Sequence, residues 1–239
     1  MNIRPYVIIN GKSSESIRGL IVSELAPIRK PQMRVLTETV DGKAGDINTP
    51  LGYEAYDKPV KIGLAGNYDI DEIIDYFNSE GIVIFSNEPD KYYRFSIYSD
   101  IDFDKLLRFK TATVNFHIQP FKYPVNEKEL TFEITSDPET IAVFNAGNYH
   151  SLPVISITAS DDISVSLNGS EILLIEFGDD EKTITINAEE LNAYFEDKTL
   201  ANRLITGDYD NIKLVRGWNN LTFTGAVSEV KISNYTRFL

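Results

Sequence analysis

The sequence predicts a mainly β chain in two domains: a β-domain with one helix over residues 1–125 and a β-sandwich over 126–239. Three observations predict it. Most structured segments alternate apolar and polar residues with period two, as half-buried strands do. Gly, Asn and Asp turn signals recur every ten residues or so in the second half. The charge balance also changes along the chain: residues 1–125 carry 15 Lys and Arg against 17 Asp and Glu, a balance of −2, whereas residues 126–239 carry 8 against 19, a balance of −11. Such asymmetry between halves points to two domains in different surroundings.

The elements follow in order. Asn10-Gly11 and Asp41-Gly42 are turn signals in the first half. The helix runs over Asp69 to Asn78, where Ile70, Ile73, Ile74 and Phe77 stand at i, i+3, i+4 and i+7 and acids crowd the first turn. In Thr111 to Gln119, Ala112, Val114, Phe116 and Ile118 alternate with Thr, Asn, His and Gln. The domain boundary is placed around Gln119-Pro120-Phe121-Lys122-Tyr123-Pro124, because each proline removes a ladder donor.

Beyond it, strands are expected at Val154–Ile157, Ser164–Leu167, Thr183–Asn187, Leu221–Thr224 and Val230–Ser233. The turns fall at Asn168-Gly169, Gly178-Asp179-Asp180 and Trp218-Asn219-Asn220. A second, shorter helix is expected over Ala188 to Phe195.

With 42% hydrophobic and 25% charged residues the chain can bury a core without staples. It has no cysteine, which excludes a disulfide framework and thiolate chemistry. The opening residues hold an apolar run too short for a secretory signal, and no stretch reaches the ~20 apolar residues of a membrane helix. The net charge of −13 disfavours a nucleic-acid partner, since phosphate binding rests on Lys and Arg.

Little in the sequence carries reaction chemistry. Only His117 and His150 are present, and without Cys a zinc site would need both plus carboxylates. Asp100, Asp102 and Asp104 have the opening spacing of a calcium loop, but Lys105 and Thr111 stand where Gly and Glu are required; Ile101 and Phe103 look like the buried face of a strand or turn. Asp161-Asp162, Asp179-Asp180-Glu181 and Glu189-Glu190 read as solvated turns rather than acid–base pairs facing across a cleft. No nucleotide-binding, serine-hydrolase or zinc-protease motif occurs. The sequons at Asn168, Asn220 and Asn234 carry no meaning without secretion. Tyr53, Tyr56, Tyr92 and Tyr93 read as core or sheet-surface rings, with a sugar platform as the alternative, and Trp218 as a cover over the end of the sandwich core. No catalytic, cofactor-binding or metal residue is assigned, and no enzyme activity is expected.

Several segments, taken in order, carry a resemblance. In the first half these are an opening strand and turn over Tyr6 to Gly11 with Gly19 to Val22, then a long strand ending in Thr37 to Asp46 with its spaced glycines, and the block from Asp69 through Pro89 to Arg94 and on to Val114–Phe121. In the second half they are Asn145-x-Gly147 with Pro153-x-Ile155, the late turn Gly217-Trp218-Asn219, and the ending Arg237-Phe238-Leu239. In this order and spacing the chain resembles the distal tail (Dit) proteins of long, flexible-tailed phages.

The resemblance implies a structural virion protein of a phage or prophage, made in the host cytoplasm and placed at the tail tip. Six copies of the N-terminal domain would form a ring, with the C-terminal domain as a galectin-like sandwich outside it. The implied partners are the major tail protein, the tape-measure protein, a tail-associated lysin or fibre and receptor-binding proteins, with no membrane and no sequence-specific nucleic acid. The alternative function is carbohydrate binding, the sandwich recognising a host cell-wall glycan.

Overall fold

The computed structural model describes residues 4–178 and 181–239. The chain divides into two compact units, one running to Val125 and taking in Leu239, the other spanning Asn126–Phe238.

The first unit is built on a seven-stranded sheet in the order β2-β1-β7-β8-β9-β6-β3, every pairing antiparallel. Its strands are β1 (Val7–Ile9), β2 (Lys12–Ser13), β3 (Leu20–Leu25), β6 (Tyr56–Leu64), β7 (Glu80–Phe85), β8 (Lys91–Ser96) and β9 (Thr111–Pro124). Alternation decides what is buried: Val60, Ile62 and Leu64 on β6 and Ala112, Val114, Phe116 and Ile118 on β9 all face the core. Phe116 is fully buried and meets Phe77, Phe85 and Phe95 at centroid distances of 6.3, 5.5 and 5.3 Å.

Helix α1 (Ile70–Phe77) forms where the periodicity predicts it. Asp69 Oδ1 caps it, accepting from the backbone N–H groups of Asp71 and Glu72 at 3.1 and 3.3 Å. The buried face is Ile73, Tyr76 and Phe77, whereas Ile74 is 38% exposed. Tyr76 contributes what periodicity alone did not show: its hydroxyl donates to the carbonyls of Val7 and Lys12, both at 3.1 Å, and ties α1 to the β1–β2 turn.

A second helix, α2 (Phe103–Phe109), occupies the segment read as a strand or turn. Asp102 is its cap, accepting from Lys105 N–H at 2.7 Å, and Leu106 is its buried anchor. Among its described residues the first unit therefore carries two α-helices, where one helix is expected. No helix among the described residues is long and apolar enough to cross a membrane.

β9 also departs from expectation. The prolines do not end it, and the strand runs through to Pro124. The register against β8 shifts between Tyr93, opposite Lys122, and Phe95, opposite Ile118. Pro120 falls in that bulge, where no ladder donor is needed.

Between β3 and β6 the chain makes a separate two-stranded hairpin, β4 (Met33–Thr39) with β5 (Asp46–Tyr53). Its connection uses Gly42 and Gly45, both at positive φ (82° and 83°), a conformation other residues adopt only at a cost.

The second unit is a β-sandwich around one shared core. One sheet is ordered β10-β19-β12-β15-β16, the other β11-β18-β13-β14-β17, all antiparallel. The strands are β10 (Leu130–Glu133), β11 (Glu139–Asn145), β12 (Val154–Ala159), β13 (Ile163–Leu167), β14 (Ser170–Ile175), β15 (Lys182–Asn187), β16 (Asn192–Phe195), β17 (Ile205–Gly207), β18 (Gly217–Thr224) and β19 (Val227–Ser233).

The helix expected over Ala188–Phe195 is absent. Asn187 Oδ1 accepts from the N–H groups of Glu189 and Glu190 at 3.1 and 3.2 Å, which makes a turn, and the chain continues into β16. The expected turn at Gly178-Asp179-Asp180 extends outside the described residues.

Candidate assembly surfaces

The two histidines lie in different units. His117 Nδ1 is 2.9 Å from Asp57 Oδ1 on the neighbouring strand and its ring lies beside Tyr98. His150 is half-buried next to Tyr149; burial, followed by the charges of Arg237 and Lys213, lowers its pKa to about 4. Among the described residues no three His, Asp or Glu side chains are grouped to hold a metal.

The acids singled out in the sequence serve local structure. Asp102 caps α2, and Asp162 Oδ1 accepts from Gly178 N–H at 3.2 Å. Glu190 accepts from the Tyr194 hydroxyl at 2.6 Å. Asp179 and Asp180 lie outside the described residues.

A buried polar cluster not expected from the sequence lies in the first unit. Glu88, in the turn between β7 and β8, accepts from Lys122 Nζ at 3.0 Å through Oε1 and from the Tyr93 hydroxyl through Oε2. Lys58 lies beside this pair with its ammonium 4.9 Å from the Phe85 ring centre and 5.1 Å from that of Tyr93. Lys58 is 1% exposed, and its Nζ makes no hydrogen bond. Burial lowers the Lys58 pKa, Glu88 opposing that shift. Burial, then Glu88, pushes Tyr56 up to about 12 and raises Tyr93 further. Its members are buried, and Glu88, Lys122 and Tyr93 bond to one another, so the cluster reads as a structural network. The tyrosines weighed as a sugar platform belong to packing instead: Tyr93 is buried, Tyr92 stacks on Tyr123, and Tyr53 sits edge-on to Phe121.

Two surfaces are unusual in their exposure. The first is the β4–β5 hairpin. Leu36 pairs with Thr49 and Glu38 with Ile47, so Leu36 and Ile47 share one face with Glu38 and Thr49. Leu36, Val40, Ile47 and Leu51 are 47%, 48%, 37% and 52% exposed, Met33 and Val35 are exposed as well, and none of them belongs to the core of the unit. A two-stranded hairpin is marginal by itself in water, so aliphatic side chains left in solvent on it mark an interaction surface.

The second surface is on the sandwich. Trp218 does not cover the core end, as the sequence had led us to expect; it is 69% exposed. The residues Trp218-Asn219-Asn220 are strand rather than turn, and alternation along β18 sends Asn219, Leu221 and Phe223 inward and Trp218 outward. Buried Asn219 accepts from Val215 N–H at 2.9 Å and donates to the carbonyls of Val215 and Gly217 at 2.8 and 3.0 Å. Trp218 is left against Phe144 of β11, their ring centres 5.0 Å apart.

The other motif residues are equally structural. Asn145, fully buried, accepts from Gly147 N–H at 2.8 Å and donates to the carbonyls of Tyr149 and Leu214 at 2.9 and 3.0 Å. Arg237 donates from Nε to the His150 carbonyl at 2.8 Å.

Among solved structures, the chain is similar to the Dit protein of phage SPP1, which is described as a hub of the adsorption apparatus in phages infecting Gram-positive bacteria. The likeness covers 98% of this chain and 99% of that one, with a TM-score of 0.71 and 18% identity. The fold is the Dit fold. Two structures of the phage P2 baseplate also align along nearly their full length, at TM-scores of 0.49 and 0.48 and identities of 10% and 9%. No family model matches the sequence, and no curated protein does. This chain carries both surfaces described above, the hairpin on its first unit and the Phe144–Trp218 pair on its sandwich.

Proposed function

We propose that this chain is the distal tail protein of a long-tailed phage or prophage, a non-enzymatic hub at the virion tail tip. Six copies close into a ring through the N-terminal unit and join the tail tube to the receptor-binding apparatus. The partners are the major tail protein, the tape-measure protein, a tail-associated lysin or fibre and the receptor-binding proteins. The observation that carries this is the extent of the likeness to SPP1 Dit, which runs through both units, whereas a sandwich alone is common to many unrelated functions. The near-neutral first unit supports it too, since unbalanced like charge opposes the packing of copies.

Light scattering and negative-stain imaging of the purified chain test the ring. Six-fold particles are expected, and a chain that stays monomeric at high concentration refutes the reading. Deleting residues 41–46, the hairpin connection, is expected to leave folded monomers; hexamers surviving the deletion would remove the hairpin from the assembly.

A second reading, carbohydrate binding by the sandwich, is favoured by one observation: the solvent-facing Phe144–Trp218 pair. Ring faces bind the apolar faces of sugars, and in a unit of charge −11 the ligand would be a neutral glycan. Binding of cell-wall polysaccharide that is lost in Trp218→Ala would support it; equal binding by both chains would dismiss it.

A further inference from the structure

We propose that the free edge of β11 receives an extended segment of a second protein, apolar at alternate positions and basic at its C-terminal end, as an added antiparallel strand. This seat is independent of the ring and of the glycan reading.

β11 ends its sheet, and among the described residues it pairs with β18 alone. The direction of its other backbone groups follows from β18. Asn220 turns toward the β13 side: its carbonyl accepts from Asn168 N–H at 2.8 Å, and its own N–H donates to Asn168 Oδ1 at 2.9 Å. Backbone groups alternate in direction along a strand. Asn219, Leu221 and Phe223 therefore turn toward β11 and bond their partners Val143, Ile141 and Glu139. Thr140, Ala142 and Phe144 are left holding their N–H and C=O groups out at the open edge. Phe144 and Trp218 then form a non-hydrogen-bonded pair, the kind whose side chains stand closest, in keeping with ring centres 5.0 Å apart.

Edge strands are ordinarily blunted by shortness, a bulge, a proline or charge. The other edges of the sandwich are short: β10 and β16 have four residues each and β17 has three. β11 has seven in unbroken register, without proline, and its single charge is Glu139 at the start. Phe144 on it, Trp218 opposite and Val215 just before β18 are all exposed, an apolar cover for a strand laid along this edge. Backbone pairing gives such a contact its affinity, and alternate side chains give it selectivity.

Charge says which segment fits. Asp137 and Glu139 mark the start of β11, whereas Arg216 stands exposed near its far end and Lys213 is paired with Asp210. An antiparallel segment ends beside Glu139, so its lysines or arginines belong at its C-terminal end. A second copy of this chain is the poorer occupant, because pairing two β11 edges would bring together two units of charge −11.

Trp218, the sole tryptophan of the chain, reports binding through its fluorescence. The probe is a short synthetic peptide of alternating valine and threonine with two lysines at its C-terminal end. One control peptide carries the lysines at its N-terminal end, and another carries glutamates in their place. Hydrogen exchange of the full-length chain, read at single amides by mass spectrometry, accompanies the titration. Ala142→Pro removes one outward N–H and no bond to β18, and proline is tolerated on edge strands. Thr140→Lys leaves the backbone intact and sets a like charge near the lysine end of the peptide. Circular dichroism checks folding of both.

A saturable change in Trp218 emission is expected, with new protection of the Thr140, Ala142 and Phe144 amides. Those of Ile141 and Val143 are protected with or without peptide. Ala142→Pro and Thr140→Lys should each weaken binding about 10-fold, the scale of one lost hydrogen bond or one repelled charge. Moving the lysines or replacing them should do the same. Absence of saturation, or binding untouched by both variants, would overturn the seat. So would a change in emission that leaves the three amides unprotected, because the rings would then be bound without the edge. Protection that appears when the chain alone is concentrated would give the edge to a second copy and overturn the partner named here.

Discussion

Lys122 Nζ donates to Glu88 Oε1 at 3.0 Å with both side chains only 8% exposed, while Lys58 Nζ lies beside the pair without an acceptor. One carboxylate thus answers two buried ammonium groups. Removing one partner of a buried pair leaves an uncompensated charge and costs about 3–5 kcal/mol. Glu88→Ala, which leaves both lysines unanswered, is expected to be the most damaging change in this cluster. Thermal denaturation of the folded chain measures it.

Lys58→Met should act in the opposite direction. It keeps the aliphatic stem against Phe85 and Tyr93 and removes a desolvated charge that has no hydrogen bond. A rise in Tm of a few degrees is expected, at roughly 2–4 °C per kcal/mol for a chain of this size.

The pH dependence follows from the direction of the Lys58 shift. Its folded pKa lies below the unfolded value, so between the two the unfolded chain binds more protons and stability rises with pH. The gain of Lys58→Met over the native chain should therefore shrink as pH climbs toward about 10. A gain that grows over that range would contradict a buried, penalised ammonium.

His150 gives a separate signature in the sandwich. Its folded pKa is about 4 against an ordinary 6.5. Between those values the unfolded state takes up the proton first, so stability is full above pH 6.5 and declines as pH falls toward 4. In His150→Gln the stability–pH curve should be flatter in that window. Proton NMR of the imidazole is expected to show no titration near pH 6.5.

Gly147→Ala tests the motif Asn145-x-Gly147. A Cβ there would meet the Arg237 carbonyl oxygen at 1.9 Å, a backbone atom that cannot move aside cheaply. The variant is expected to lose several kcal/mol through overpacking and the broken Asn145 network. By comparison Gly169→Ala, where nothing lies within 4 Å of the new methyl, meets no such clash and carries only the strain of its positive φ. Chemical denaturation of the two variants side by side separates packing from turn strain.

How far these features were legible varies with how local their causes are. α1 was readable because four apolar residues at helical spacing and a capping Asp69 all lie within ten residues. α2 was not, although the signal was present: Asp102 stands at a cap position, and Phe103, Leu106 and Leu107 follow at i, i+3 and i+4. The alternation of Ile101 and Phe103 with aspartates imitated a strand, and a seven-residue helix offers too few turns to overrule it. Lys58 could have been flagged from parity, since it falls on the same face of β6 as Val60, Ile62 and Leu64. Glu88, whose charge acts on it, sits 30 residues away in a turn, and no local pattern links the two.

The sequence by itself determined that this is a β protein with turns at Asn10-Gly11, Asp41-Gly42 and Asn168-Gly169, because alternation and turn chemistry act between near neighbours. Only the tertiary structure decided what alternation left open. It turned Trp218 outward and Asn219 inward, carried β9 through Pro120 by a bulge, and left Leu36, Val40, Ile47 and Leu51 uncovered. Where a segment carries apolar residues on both faces or an interrupted pattern, its register and covered face depend on contacts between residues far apart in sequence.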